Sequence, residues 1–109
     1  MSLNEDKVIK ELILILDEID NIYRFAISSK NDLLLNNFDS ALKNIKKHLD
    51  ELGIESIYPI GEIFDNRLHE CVQTVEDCSK KQYEIVDIIK RGYKHNGKVI
   101  RPAYVVAVK

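Results

Sequence analysis

From Asn4 to Ser28 the apolar positions return at alternating steps of three and four, which predicts an α-helix. Ile9, Leu12, Leu16, Ile19, Tyr23 and Ala26 make one such seam. Val8, Leu12, Ile15, Ile19, Ile22 and Ala26 make a second, one position aside, and Ile13, Leu14 and Ile27 widen the stripe further. A helix packed on a single core needs an apolar face of only about 100°. This one exceeds that along its length and calls for neighbours on two sides. Ser28-Ser29-Lys30-Asn31-Asp32 is a polar break rich in cap-type residues. A second helix follows from about Leu33 to Leu52, with Leu35, Phe38, Leu42, Ile45, Leu49 and Leu52 as its seam. Gly53 suits the left-handed position just past a helix end, and Lys43, Lys46, Lys47 and His48 suit a helix's carboxyl half. At 1.5 Å per residue the two helices are roughly 35 and 30 Å long, a matched hairpin.

The pattern changes at Gly53. Residues 1–52 hold no Gly and no Pro, whereas residues 53–109 hold all four Gly and both Pro. The apolar residues now fall in short β-rich runs: Ile54–Tyr58, Leu68–Glu76, Tyr83–Lys94 and Val99–Val108. Pro59-Ile60-Gly61 and Asp77–Lys81 separate the earlier runs. His95-Asn96-Gly97-Lys98 joins the last two, and Asn-Gly between β-rich runs signals a type I′ hairpin, whose two central residues both need positive φ. Pro102 has no N–H for a ladder bond, so its strand is expected to be an edge or to bulge there. The expected fold class is α+β, with a helical hairpin over 1–52 and a small all-β domain over 53–109.

A lone two-helix hairpin buries too little apolar surface to be stable. Either the β half covers its second face or a second copy does. The surplus runs along the whole helix, which favours a homodimer in which two hairpins form a four-helix bundle. The expected interface is Ile9, Leu12, Leu16, Ile19, Tyr23, Phe38, Leu42, Ile45 and Leu49.

Composition narrows the classes. Of 109 residues, 45% are apolar and 31% charged, with a net charge of −2, outside the range of disordered chains. No apolar run approaches the roughly 20 residues of a membrane span. The acidic opening MSLNEDKVIKEL has no signal-peptide core. Two cysteines are too few for a disulfide scaffold. The expected setting is the cytoplasm, with no membrane partner.

Candidate chemistry is sparse. His69-Glu70-Cys71 with Cys78 is the one cluster that invites an enzyme or metal reading, since His69 and Cys71 share a strand face. There is no C-x-x-C, no second His at a helical offset and no glycine-rich phosphate loop. A buried small Cys and a structural His account for the pair, so no catalytic residue, metal or cofactor is expected. Charge is more informative. Beyond Asp87 the chain has no acidic residue but carries Lys90, Arg91, Lys94, Lys98, Arg101 and Lys109. Gatekeeping of exposed strand edges explains part of this. A nucleic-acid surface would interleave more aromatics than Tyr93 and Tyr104, so no nucleic acid is expected and an acidic protein partner fits better.

Two runs resemble a known family. Gly61-Glu62-Ile63-Phe64-Asp65-Asn66-Arg67-Leu68-His69-Glu70 resembles the GrpE motif G-x-x-F-D-P-x-x-H-E-A. Arg91–Val105 is similar to that family's second signature, K-G-Y-x-x-N-x-x-[VI]-I-R-[PA]-A-x-V, and Leu12–Ile22 resembles a diverged form of its L-L-P-V-x-D-N-L-x-R-A helix. The resemblance implies a homodimeric nucleotide-exchange factor for a DnaK-type ATPase chaperone. The paired hairpins would form the bundle, and the β-domain would be a wing that holds open the cleft of the chaperone's nucleotide-binding domain so that ADP leaves. The alternative is a GrpE-like dimeric scaffold without exchange activity. Carried over by position, the partner-binding candidates are Phe64, Ile89, Lys98, Ala107 and, on the first helix, Lys7; His69, Gly92, Arg101 and Pro102 would shape the β-domain. Asn66 stands where the family usually has Pro, and Asn21 where it often has Arg. The family's long amino-terminal paired helix has no counterpart in this sequence, so its stalk functions are not carried over.

Overall fold

The computed structural model describes residues 4–109; Met1–Leu3, at the start of the first expected domain, lie outside the described residues. The chain divides into two compact units, Met1–Leu52 and Gly53–Lys109.

The first unit is a helical hairpin. Helix α1 spans Glu5–Ser29 and α2 spans Asp32–Glu51. Both begin on an asparagine cap, whose side-chain oxygen accepts an otherwise orphaned backbone N–H: Asn4 from Lys7 at 3.2 Å and Asn31 from Leu34 at 3.0 Å. Lys30, at φ 57°, turns the chain left-handed after α1, and its N–H reaches the Ile27 carbonyl at 3.3 Å. The helices meet through Tyr23 and Phe38, with ring centroids 5.3 Å apart, and the Tyr23 hydroxyl donates to Asp39 Oδ1 at 2.8 Å. Ile9, Ile13, Leu16 and Ala26 are buried on α1, whereas α2 has no fully buried residue.

The second unit holds two three-stranded sheets. Strands β1 (Ile54–Ile57), β4 (Gly92–His95) and β5 (Lys98–Arg101) form an antiparallel sheet in the order β1-β4-β5. Strands β2 (His69–Val75), β6 (Ala103–Val108) and β3 (Ile85–Lys90) form the other in the order β2-β6-β3, with β2 parallel and β3 antiparallel to the central β6. Ile57, Ile85, Ile88, Ala103 and Val105 make the core, with Phe64, Cys71 and Val99 packed against it.

The long runs expected over Tyr83–Lys94 and Val99–Val108 are each two strands in different sheets. The first breaks at Arg91 and the second at Pro102. Pro102 thus marks a change of sheet rather than a simple bulge or edge. The two breaks lie against each other: Arg101 Nε donates to the Arg91 carbonyl at 3.1 Å, joined there by Nη2. A Cβ on Gly92 would fall 2.5 Å from Ala103 N, 2.7 Å from the Arg101 carbonyl oxygen and 2.8 Å from Pro102 C. Only a residue without a side chain fits that crossing.

Candidate functional site

The β4–β5 hairpin turns on Asn96 and Gly97, at φ 51° and 84°, the positive pair that a type I′ turn requires. The Asn96 N–H bonds to the Gly53 carbonyl at 2.8 Å, and its side chain lies over Gly53 where a Cβ would stand. This holds the tip in place and leaves Lys98 exposed on it. The other basic residues of the acid-free stretch divide by environment. Arg101 is spent on the Arg91 carbonyl and lies 5.6 Å from the Tyr93 ring centroid. Arg91 stacks over Tyr58 at 4.2 Å. Lys109 reaches Glu76 at 3.9 Å. Lys90 is exposed, and Lys94 and Arg91 are half-buried. The expected cationic surface therefore contracts to Lys98 at the tip and Lys90 on β3.

The candidate partner contacts lie in different settings. Ile89, on β3 beside Lys90, is 45% exposed. Phe64 is half-buried and packs against the core from the loop before β2. Ala107 is 4% exposed on the central strand, in register with Thr74 of β2 and Ile85 of β3. At that burial it presents almost no surface of its own. Lys7 is exposed in the first turn of α1, on the other unit.

The residues expected at the dimer interface are partly covered within one chain. Ile9 and Leu16 are buried, and Leu12, Ile19, Tyr23, Phe38, Leu42, Ile45 and Leu49 half-buried, within one chain. Tyr23 and Phe38 already face each other across the hairpin. Of the large apolar side chains that remain exposed, Val8, Ile15 and Ile22, at steps of seven, belong to the parallel seam one position aside; Leu14, Phe25 and Ile27 lie off it on α1, and Leu33, Leu34 and Leu52 lie at the ends of α2. The seam packs within the hairpin but stays mostly half-buried, and its neighbour is the more exposed of the two.

The His69–Cys71 pair does not form a reactive dyad. His69 Nδ1 accepts the Asp65 backbone N–H at 3.0 Å, so it is not available to activate a thiol. The Cys71 thiol turns to the Gln73 carbonyl at 3.2 Å, and Cys78 is exposed on a turn. Among the described residues no group of three or more His, Cys, Asp or Glu could hold a metal ion. No described helix is long and apolar enough to cross a membrane.

Sequence reasoning missed a polar cluster in the same loop. The Asp65 carboxylate accepts from Arg67 N at 2.9 Å, Nε at 3.1 Å and Nη2 at 2.8 Å. Hydrogen bonds from the Arg67 side chain and then its backbone hold the Asp65 pKa down to about 2. Asp-x-Arg at a turn, followed by His at the fourth position, was the available signal.

The geometry thus defines a two-part α+β chain: a hairpin with one apolar face outward, and a small β unit with lysines at a hairpin tip and a strand edge. The family model described as GrpE matches residues 3–109. The chain belongs to the GrpE family. It is 38% identical over 95 residues to Protein GrpE of Wolbachia sp. subsp. Brugia malayi (strain TRS), covering 86% of this chain and 52% of that one. Against Protein GrpE of Fusobacterium nucleatum subsp. polymorphum the identity is 32% over 105 residues, 95% of this chain and 52% of the relative. Against that of Francisella tularensis subsp. novicida (strain U112) it is 29% over 105 residues, 95% and 54% of the two. The chain spans about half the length of these curated relatives.

Proposed function

We propose that this chain acts in the cytoplasm as a homodimeric adenyl-nucleotide exchange factor, binding the nucleotide-binding domain of a DnaK-type chaperone and promoting ADP release. The observation that carries the reading is the GrpE match over residues 3–109, which includes the whole β unit. The mechanism requires no reactive group. A protein that binds the open cleft better than the closed one shifts the equilibrium by that difference, and ADP is weakened in proportion. Moving a cleft from 1:99 to 99:1 open takes about 5.5 kcal/mol of such preference. A few anchors with a charged rim supply energies of that order. Lys98 and Ile89 are the exposed candidates on the β unit, with Lys7 on the helical unit. Phe64 would act from its half-buried position, and Ala107 would contribute only by shaping the strand beneath the surface.

For the homodimer, the outward face at Val8, Ile15 and Ile22 is the surface we assign to the second copy. Full burial of an exposed side chain of this kind is worth roughly 1.5–3 kcal/mol, and these three, about half exposed, would each gain about half of that. Stopped-flow release of fluorescent ADP from a DnaK-type chaperone tests the function. Release should accelerate with added chain and saturate. Binding without acceleration would replace exchange with scaffolding, and no binding would refute the partner.

A further inference from the structure

His69 is 4% exposed at the start of β2, yet it is a titratable group with a defined hydrogen-bond polarity. Its Nδ1 accepts the Asp65 N–H at 3.0 Å, so in the neutral ring the proton resides on Nε2. Nε2 is buried with no hydrogen-bond partner among the described residues. Three backbone bonds therefore converge on Asp65, besides those of Arg67 to its carboxylate: its N–H to the imidazole, and its carbonyl accepting Leu68 N at 3.0 Å and His69 N at 2.9 Å. The residues just before are tied elsewhere, with Phe64 N on the Tyr83 carbonyl at 2.9 Å and Gly61 N on the Ile85 carbonyl at 2.9 Å. The ring is thus the acceptor that fixes the Asp65 N–H, while the Asp65 carbonyl and carboxylate hold the rest of the turn.

We propose that His69 is a proton-operated latch on this turn: a proton taken up at Nδ1 expels the Asp65 N–H and loosens the turn's amino end, next to Phe64 on the β core. An imidazolium has only donors, so Nδ1–H and the Asp65 N–H would face each other in a buried site. The Phe64 ring lies 6.0 Å from the imidazole, centroid to centroid, and packs on the core. The surrounding charges set where the latch operates. Glu62 and Asp65, both on the loop, favour the proton. Arg67 is locked onto Asp65 at 2.8 Å. The neighbouring β6 pairs here through Ala103 and then Val105, both uncharged, while on β2 itself Glu70 is exposed and Cys71 half-buried. Burial outweighs the two carboxylates and lowers the His69 pKa from 6.5. The latch is closed at neutral pH and opens on acidification. It does not depend on the exchange reading, and its test involves no chaperone.

Imidazole nitrogen spectra and amide exchange of the full chain, from about pH 8 to about pH 4, test it. At neutral pH the His69 ring should show a bare Nδ1 and a protonated Nε2. As the ring titrates, exchange at Asp65, corrected for the intrinsic rate, should quicken about tenfold, the worth of one hydrogen bond, while Gly61 and Ile85 keep their protection. His69→Asn, which offers an acceptor oxygen near the Nδ1 position but cannot titrate, should keep Asp65 protected throughout. A neutral ring with its proton on Nδ1, or Asp65 protection unchanged through the titration, would overturn the proposal. So would a folded Asn variant that still loses protection in acid. If that variant does not fold, the wild-type spectra decide alone.

Discussion

Replacing Gly92 by Ala adds one methyl group at the point where the chain's two sheet-switching segments cross. The added Cβ would meet Ala103 N at 2.5 Å, the Arg101 carbonyl oxygen at 2.7 Å and Pro102 C at 2.8 Å. Carbon contacts are comfortable at about 3.5–4.0 Å, so the overlap is about 1 Å against three atoms. All three are backbone and cannot rotate aside, so β4 or the Arg101–Ala103 segment must move. Overpacking in a close-packed interior costs roughly 1–3 kcal/mol, and rigid backbone puts this case at about 3 kcal/mol. A unit the size of residues 53–109 has only about 3–8 kcal/mol in total. The variant should therefore lose from over a third to all of the β unit's stability. Amide exchange in the full chain reads this directly, because Ile88 and Val105 report the β core and Leu16 the hairpin. Gly92→Ala should speed exchange at Ile88 and Val105 by about 100-fold and leave Leu16 nearly unchanged. Gly97→Ala is the control. Nothing lies within 4 Å of its Cβ, so it bears only the strain of φ 84°, roughly 1–2 kcal/mol. A Gly92→Ala protein losing less than its Gly97→Ala counterpart would refute the crossing argument.

Three further outcomes are expected. Ile22→Asp changes a side chain already 57% exposed in one chain, so it should spare the hairpin but place a charge in the proposed dimer contact. Sedimentation should show association weakened by about 3 kcal/mol, roughly a hundredfold in the dissociation constant, and an unchanged dimer would reject that face. Lys98→Glu should slow chaperone ADP release at least about tenfold, since a reversed tip charge both loses attraction and adds repulsion, with the β unit's far-ultraviolet spectrum preserved; an unaltered release rate would remove Lys98 from the contact. Asp65 is held down to about 2 from 3.8, so its ionised form stabilises the fold above the unfolded value, and that contribution is lost as pH falls through about 2. Urea midpoints should decline across that window in the wild type and more gently in Asp65→Asn; parallel curves would contradict the assignment.

Much of the architecture was legible because local chemistry and tertiary packing agree. Asn4 and Asn31 cap the two helices, and the polar break between them became Lys30 in the left-handed conformation. Gly53 and the Asn96-Gly97 pair all took positive φ. Where the two levels part, sequence periodicity alone was insufficient. Tyr83–Lys94 reads as one uninterrupted strand because nothing in its alternation records that Gly92 must pass under Ala103. The parallel pairing of β2 with β6 joins segments more than thirty residues apart, beyond the reach of any short-range pattern. On α1, two seams offset by one residue are nearly equivalent in spacing. The aromatic contact between Tyr23 and Phe38, visible only once the helices are paired, selects which seam closes the hairpin.

The proposed function explains why so few of its residues declare themselves. A catalyst must gather reactive groups, and those groups leave spacing rules and shifted ionisation behind. An exchange factor needs only a surface that fits one conformation of its partner better than another. Such surfaces are built from ordinary lysines and apolar side chains, whose identities the fold does not constrain. Charge segregation was therefore the one compositional trace, and the structure sharpens it by subtraction. Arg101 and Arg91 are engaged in the crossing and against Tyr58, and Lys109 is drawn to Glu76. What remains outward is Lys98 on a tip held rigid through Asn96 and Gly53, with Lys90 beside the exposed Ile89. A rigid tip matters energetically: a side chain presented on fixed backbone forfeits less entropy on binding, so more of each contact's energy goes to discriminating an open cleft from a closed one.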